Sequence, residues 1–359
     1  MSASGSRNHW LAINATVLIL VWGMCGVAAA CLTCATGNGK VDDSQPSKSQ
    51  GLATVLILNT GANTANIIGG MTGDLAGGGG GQAFGGLDIK RFVLRSGSTG
   101  AAAAPGDKQW NAWGAFSRSN IAYNFAPLQS SGNVNVYLAG VDYTMDKMVF
   151  GVAVARDDTD VDLNFSGGKL KGKGWTVSPY FGVAINKNLA FDATLGYGRT
   201  NVDTTVTIPV VVSGSTRSDR SVGSLGLTYR EVIGAWTLSG RGAFLAVRDK
   251  LGAYTLTNGT FVPDGTVNLA QFRFTGMAAY TTGPVTPYVS LSYINDIRRP
   301  NQAPVGGIAA ANDRDAWTPA IGIRFRADNS VYGSVQFSTE RGRKEVKNDQ
   351  FLINLGIRF

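Results

Sequence analysis

Few residues in this chain of 359 amino acids have the chemistry that catalysis requires. Histidine, the commonest general acid and base near neutral pH, occurs once, as His9. His9 lies in a segment that we predict to be removed, so the mature chain has no histidine base or ligand. No acid pair and no nucleophile motif stands out elsewhere. We therefore predict a protein that is not an enzyme and that uses no cofactor.

The three cysteines, Cys25, Cys31 and Cys34, all lie near the amino terminus. A short basic start, an apolar stretch and three alanines predict a secretory signal peptide over residues 1–30. Cleavage there places Cys31 first in the mature chain, where it could carry a lipid anchor, although Ala28 replaces the leucine of most lipoprotein signals. Cys31 and Cys34 also have redox spacing, but no βαβ pattern surrounds them. A simple disulfide or two unreactive cysteines is the interpretation we adopt.

Two further motifs have residue types that bind ions or phosphate. Asp157, Asp158 and Asp160 form an acidic cluster, which we interpret as a solvated loop tip because it lacks the spacing of a calcium loop. The five glycines at 77–81 are followed by Gln82, whereas a phosphate-binding loop continues with lysine and a hydroxyl residue. We interpret the glycines as a hinge, and the sequence predicts no metal site.

The last ten residues carry the clearest structural pattern in the chain. Phe351, Ile353, Leu355, Ile357 and Phe359 occupy alternate positions, and mixed residues stand between them. A period of two is that of a β-strand with one apolar face. Because an apolar edge strand invites aggregation, the pattern favours closure against the first strand of a barrel.

This terminal stretch resembles the last strand of bacterial outer-membrane barrels, which end in Phe or Trp behind alternating apolar positions. The resemblance implies that Leu355, Ile357 and Phe359 act as the assembly signal. It also implies three kinds of partner: periplasmic chaperones, the β-barrel assembly machinery and the lipid bilayer of the outer membrane.

Composition also favours a membrane barrel. Charged residues make up only 16% of the chain and glycines number 48, which suits neither a charged soluble surface nor a helical membrane protein. After the first thirty residues the hydropathy is weak and alternating, as in transmembrane barrels. The formal charge of +8 does not indicate a nucleic-acid partner, because the basic residues are spread over loops and strand ends.

Twelve segments with strand character follow one another from Trp110 to Phe359. Short and long connections alternate, an arrangement typical of outer-membrane barrels with long loops outside the cell. We predict an all-β fold, a transmembrane antiparallel β-barrel of twelve strands, with the apolar residues facing lipid. The predicted long loops are 157–174, 201–219, 248–266 and 295–316, and the connection 120–133 contains apolar residues that could extend a strand. The arginines predicted to face the lumen are Arg230, Arg273, Arg324 and Arg358.

The opening of the first strand, Gln109-Trp110-Asn111-Ala112-Trp113, resembles that of the translocator barrel of autotransporters, the type V secretion family. With the glycine-rich texture, the turn pattern and the closing strand, the resemblance covers 110–359. It implies that a segment before the barrel threads the pore, often as a helix. Residues 51–76 would reach about 39 Å as a helix, enough for a hydrocarbon core of about 30 Å.

The predicted domains are a signal peptide over 1–30, a linker with a pore-inserted segment over 31–109, and the barrel over 110–359. Only residues 31–50 precede the pore segment, so we expect the usual passenger to be missing. Some members cleave their linker at an Asn pair, and the pore segment has none, so self-cleavage is not predicted. The sequence favours an outer-membrane translocator barrel whose pore holds its own amino-terminal segment; a porin or channel and a surface adhesin stay open as alternatives.

Overall fold

The structure is a computed structural model, and it describes residues 61–70, 72, 109–125, 128–207, 211–299, 311, 313–327 and 331–359. The predicted signal peptide, Cys31 and the glycine run at 77–81 lie outside the described residues. One helix, α1, covers residues 61–70. Among the described residues, no helix is both long enough and apolar enough to span a membrane.

Twelve long strands form a closed antiparallel barrel, and two short strands form a separate hairpin. The barrel strands are β1 (Trp110–Tyr123), β2 (Ser130–Met145), β3 (Met148–Leu163), β4 (Gly168–Ala184), β5 (Leu189–Val206), β6 (Val212–Ile233), β7 (Trp236–Leu251), β10 (Gly265–Tyr280), β11 (Val285–Arg298), β12 (Asp315–Arg326), β13 (Val331–Glu340) and β14 (Val346–Arg358). The hairpin consists of β8 (Tyr254–Thr255) and β9 (Phe261–Val262). The prediction of an all-β barrel with twelve strands is confirmed.

The barrel strands alternate between a buried inner face and an exposed outer face, as the period of two predicts. On β4, Ser178 is 2% exposed, whereas its outward neighbours Trp175 and Val177 are 46% and 36% exposed. Phe181 belongs to the outward set but is buried, because its ring packs 5.0 Å from that of Phe150 on β3. The outer surface is therefore apolar over most of its height, and the inner surface is small or polar.

The carboxy-terminal strand closes the ring. β14 pairs with β1 over its whole length, and Trp110 and Phe359 exchange two backbone hydrogen bonds of 3.2 and 3.0 Å. Leu355, Ile357 and Phe359 all lie exposed on the outer face. Closure leaves no unpaired strand edge in the barrel, which removes the aggregation hazard of an apolar edge.

Aromatic side chains mark the two borders of the apolar outer surface. At the end where β1 begins, Trp110 packs on Tyr143 at a ring distance of 5.0 Å, and Trp236 packs on Tyr280 at 5.1 Å. This end carries the tight connections, such as the turn at Gly234, whose φ of 61° favours glycine, and is called the turn end below. The opposite end is called the loop end. Ten residue steps on β4 cover about 25 Å at ordinary strand tilt, the height of a membrane band.

The strands extend further at the loop end than the sequence predicted. The proposed loop 157–174 is mostly strand, because β3 continues to Leu163 and β4 begins at Gly168. The proposed loop 201–219 likewise belongs largely to β5 and β6, and the connection 120–133 adds residues to β1 and β2. On β3 and β4 the extension has a physical reason, because oppositely charged side chains face each other across the strands on the outer face. The pairs are Asp158 with Lys173, Asp160 with Lys171, and Asp162 with Lys169.

Candidate functional site: the barrel lumen and its helix

Helix α1 lies inside the barrel. All of its residues are buried except Asn66, which is half-buried, and Ile68 has no exposed surface. The Nδ2 atom of Asn63 donates a 3.1 Å hydrogen bond to Ser119 Oγ on β1. A Cβ atom built on Gly61 would lie 3.0 Å from Val247 Cγ1 on β7. Since β1 and β7 stand opposite each other in the ring of twelve strands, a helix that contacts both occupies the lumen.

The helix runs from the loop end towards the turn end. Gly61 lies beside Val247, near the loop end of β7, and a Cβ atom on Gly69 would lie 3.3 Å from Asp192 Oδ2. Asp192 follows closely after Leu189, the first residue of β5 at the turn end. Ten helical residues cover about 15 Å. The described helix therefore fills about half the height of the membrane band.

A buried cluster of charges lies beside the amino-terminal end of α1. Arg220 Nε is 3.2 Å from Asp249 Oδ1, and Arg220 Nη1 is 3.4 Å from Asp157 Oδ1. Ser218 donates a further 3.2 Å hydrogen bond to Asp249. The three charged side chains are nearly inaccessible to solvent. The interpretation of Asp157 as part of a solvated tip is wrong, because Asp157 points inwards.

A second charged pair lies beside the carboxy-terminal end of α1. Arg241 Nη2 is 2.6 Å from Asp192 Oδ2, and Asp192 is completely buried. A Cβ atom on Gly69 would lie 2.9 Å from the same Nη2 atom. On the wall, Gly226 makes room for the pair, since a Cβ atom there would lie 2.2 Å from Nη2. Neither cluster was predicted from the sequence, although Arg220 and Arg241 alternate in step with the inward-facing residues of β6 and β7.

A third polar group lies on the other side of the helix. Asp296 accepts a 2.6 Å hydrogen bond from Gln271 Nε2 and pairs with Arg343 Nη2 at 2.8 Å. Arg343 Nη1 is also 3.3 Å from Glu340 Oε1. These side chains, Arg273 and the start of α1 line a cavity of about 90 Å³. The lumen beside the helix is therefore polar and narrow.

The four arginines predicted for the lumen lie on four different strands, and the structure does not bring them together. Arg230 and Arg324 are buried, while Arg273 and Arg358 are half-buried. Arg273 lines the cavity beside the helix. Two of the four contact aromatic rings: the Arg324 guanidinium lies 4.6 Å from the centre of Tyr288, and that of Arg358 lies 5.2 Å from the centre of Tyr332.

A hydrogen-bonded chain crosses the closing seam at the turn end. Tyr332 Oη on β13 donates to Asn111 Oδ1 on β1 at 2.8 Å, and Asn111 Nδ2 donates to Asp142 Oδ2 on β2 at 2.9 Å. Tyr180 Oη on β4 donates to the same Asp142 oxygen at 2.9 Å and accepts a 2.8 Å bond from Trp113 Nε1. These hydrogen bonds join the first strands of the barrel to β13, across the seam where β1 meets β14.

The two tyrosine rings of this hydrogen-bond network cover glycines on neighbouring strands. A Cβ atom on Gly356 would lie 2.2 Å from Tyr332 Cζ, and one on Gly151 would lie 2.2 Å from Tyr180 Cζ. At distances this short, the tyrosine ring would have to move before either glycine could carry a side chain. Part of the high glycine content therefore has a packing cause, because a flat ring lies against bare backbone on the inner wall.

The outer face of the β3–β4 hairpin is charged beyond the aromatic border at Trp175. Lys169 Nζ lies 2.9 Å from Asp162 Oδ1, and both side chains are more than half exposed. The hydrogen bond from Lys169 to Asp162 raises the pKa of the Lys169 ammonium group. Charged side chains on an outer face are costly in hydrocarbon. This part of the hairpin therefore projects from the membrane band into water.

The fold and the lumen define a translocator barrel, and the sequence comparison gives its family. The model of the family described as "Autotransporter beta-domain" matches residues 110–338, and the chain belongs to this family. No curated protein matches the sequence. The family implies a bacterial outer-membrane location and a transport domain.

Three solved translocator domains share the fold. The translocator domain of the autotransporter NalP from Neisseria meningitidis is 11% identical at a TM-score of 0.61, with 76% of this chain and 93% of that chain covered. The β-domain of the Bordetella autotransporter BrkA is 15% identical at 0.57, with 70% and 100% covered. The transport unit of AIDA-I from Escherichia coli is 11% identical at 0.55, with 76% and 97% covered.

Proposed function

We propose that the barrel anchors the chain in the outer membrane with the turn end in the periplasm and the loop end at the cell surface, and that α1 keeps the pore closed. The burial of α1 between opposite walls of the barrel is the observation that carries this proposal. In this arrangement Gly61 lies towards the loop end, and both Gly69 and the first residue of β1 lie towards the turn end.

The charged outer hairpin supports this orientation. The β3–β4 pair carries Asp and Lys ladders beyond Trp175, whereas the turn end has only short connections next to its aromatic border. Barrels of the outer membrane have short periplasmic turns and longer extracellular segments. The loop end is thus the end suited to the cell surface.

The assembly signal and the amino-terminal segments belong to the same proposal. Leu355, Ile357 and Phe359 present apolar surface on the closing strand, where the assembly machinery and periplasmic chaperones would bind an unfolded barrel. Residues 1–30 would direct the chain to the periplasm, and Cys31 would then begin the mature protein. Mass spectrometry of the purified protein tests this step: a diacylglyceryl mass on Cys31 supports lipidation, and an unmodified first residue contradicts it.

A thiol cross-link tests the occupied pore. Asn63→Cys on α1 and Ser119→Cys on β1, in a chain whose native cysteines are serines, should join in high yield with a short bifunctional reagent. In the matched control, Ser119 stays unchanged and the cysteine is placed at its exposed neighbour Arg118. Because Arg118 points outwards, Asn63→Cys with Arg118→Cys should give no cross-link. Equal yields from the two pairs would contradict the placement of α1 in the lumen.

A further inference from the structure

Two glycines of α1 stand at the points where the helix meets charged side chains of the wall. A Cβ atom on Gly61 would lie 3.2 Å from Arg220 Cδ, and one on Gly69 would lie 2.9 Å from Arg241 Nη2. Real Cβ atoms essentially never approach other atoms below 3.0 Å, and contacts below 3.4 Å require a neighbour to move. Any side chain at Gly69 would therefore displace Arg241, and one at Gly61 would press on Arg220.

The wall cannot move easily at either point. Arg220 is held by Asp157 and Asp249, and its side chain is 1% exposed. Arg241 is held by Asp192 at 2.6 Å. Moving either arginine would leave buried carboxylates without their partner, which is strongly unfavourable. The two contact points are thus rigid features of the lumen.

We propose that Arg220 and Arg241, each fixed by buried aspartates, form a two-point seat that holds α1 at a single depth in the pore. This proposal rests on the proposed function, in which α1 occupies the pore. It adds the wall contacts that fix the position of α1 there. Gly61 and Gly69 stand eight residues apart in α1, and Gly70 follows directly. A screw motion by one residue, about 1.5 Å along the axis with a turn of about 100°, would bring Ala62 against Arg220 in one direction or Ile68 against Arg241 in the other. The seat accepts a helix with bare backbone at these two positions.

Gly→Ala substitutions in α1 test the seat, because they should change the cross-link yield in opposite directions with and without it. Alanine is the better helix former, so without a seat Gly69→Ala would leave the Asn63→Cys and Ser119→Cys cross-link unchanged or increase it. With a seat, the added methyl group pushes the helix off Arg241, and the cross-linked fraction should fall about fivefold or more. Gly61→Ala should act in the same direction. The barrel itself should still fold, as shown by heat-modifiable migration in gels.

Two further variants complete the experiment. Gly240→Ala adds the same methyl group to the outer wall, where it meets open space, and should not change the cross-link. Gly69→Ala combined with Arg241→Ala and Asp192→Ala removes the obstructing pair and should restore the yield. A Gly69→Ala variant that cross-links as well as its parent overturns the seat alone. A parent pair that never cross-links overturns the occupied pore and the seat together.

Discussion

The side-chain amide of Asn63 donates a 3.1 Å hydrogen bond to the hydroxyl of Ser119, and this bond joins α1 to the first strand of the barrel. Both residues are buried, so the bond forms where water competes little. The helix contacts the opposite wall through Gly61 and Gly69. A helix held from both sides of the lumen is part of the folded barrel.

The closing strand should be required for assembly. Replacing Ile357 and Phe359 with Asp puts two carboxylates on the outer apolar face, where each costs free energy in hydrocarbon, and removes the terminal signal. We expect the variant to stay in the periplasm and be degraded, as measured by membrane fractionation and heat-modifiable migration. Lys347→Asp, at an exposed position near the loop end of the same strand, is the control. Normal insertion of the double variant would refute the role of this strand.

The buried arginine cluster should stabilise the barrel far more than an exposed ion pair. Arg220→Ala leaves Asp157 and Asp249 buried without their cation, which should lower the free energy of unfolding by about 3–5 kcal/mol. Arg199→Ala breaks the exposed pair with Asp219 and should have little effect. Denaturant unfolding of the detergent-solubilised protein, followed by tryptophan fluorescence, measures both. Similar losses for the two variants would show that the Arg220 cluster is not structurally important.

A side chain added to a glycine that a ring covers should destabilise the barrel. Gly356→Ala places a Cβ atom 2.2 Å from Tyr332 Cζ, so the ring must move and its hydrogen bond to Asn111 must break. We expect a loss of about 1–3 kcal/mol and slower closure of the seam between β1 and β14. Gly276→Ala, whose methyl group meets open space on the outer face, should behave like the parent chain. Equal refolding of the two variants in lipid vesicles would contradict the packing role of Gly356.

Much of the barrel could be predicted from the sequence because strand alternation is local. The period of two in segments such as Gln350–Phe359 fixes which side chains face out, and an apolar face needs lipid or a partner. The extension of β3 and β4 was missed because their outer face carries Asp and Lys, which resemble a solvated loop until the cross-strand register pairs them. Asp157 was misread for the same reason, since the side it faces depends on where β3 ends.

The seat could not be predicted because it depends on contacts between distant parts of the chain. Arg220 and Gly61 are far apart in sequence, and nothing local relates a glycine in a weak helix to an arginine in a strand. Glycines lower the intrinsic stability of a helix, so Gly61 and Gly69 argued against one. Their reason is tertiary, because a side chain at Gly69 would displace Arg241 and one at Gly61 would press on Val247 and Arg220.

The conductance of the barrel with and without its helix tests the central claim most directly. The full chain in a planar bilayer should conduct poorly, because α1 occupies the lumen. A chain that begins at Lys108 keeps all twelve strands and should conduct several-fold better. Arg230, Arg273, Arg324 and Arg358 would then face water and favour anions at low salt, where the Debye length is about 30 Å at 0.01 M. Equal conductance of the two chains would contradict a pore closed by its own amino-terminal helix.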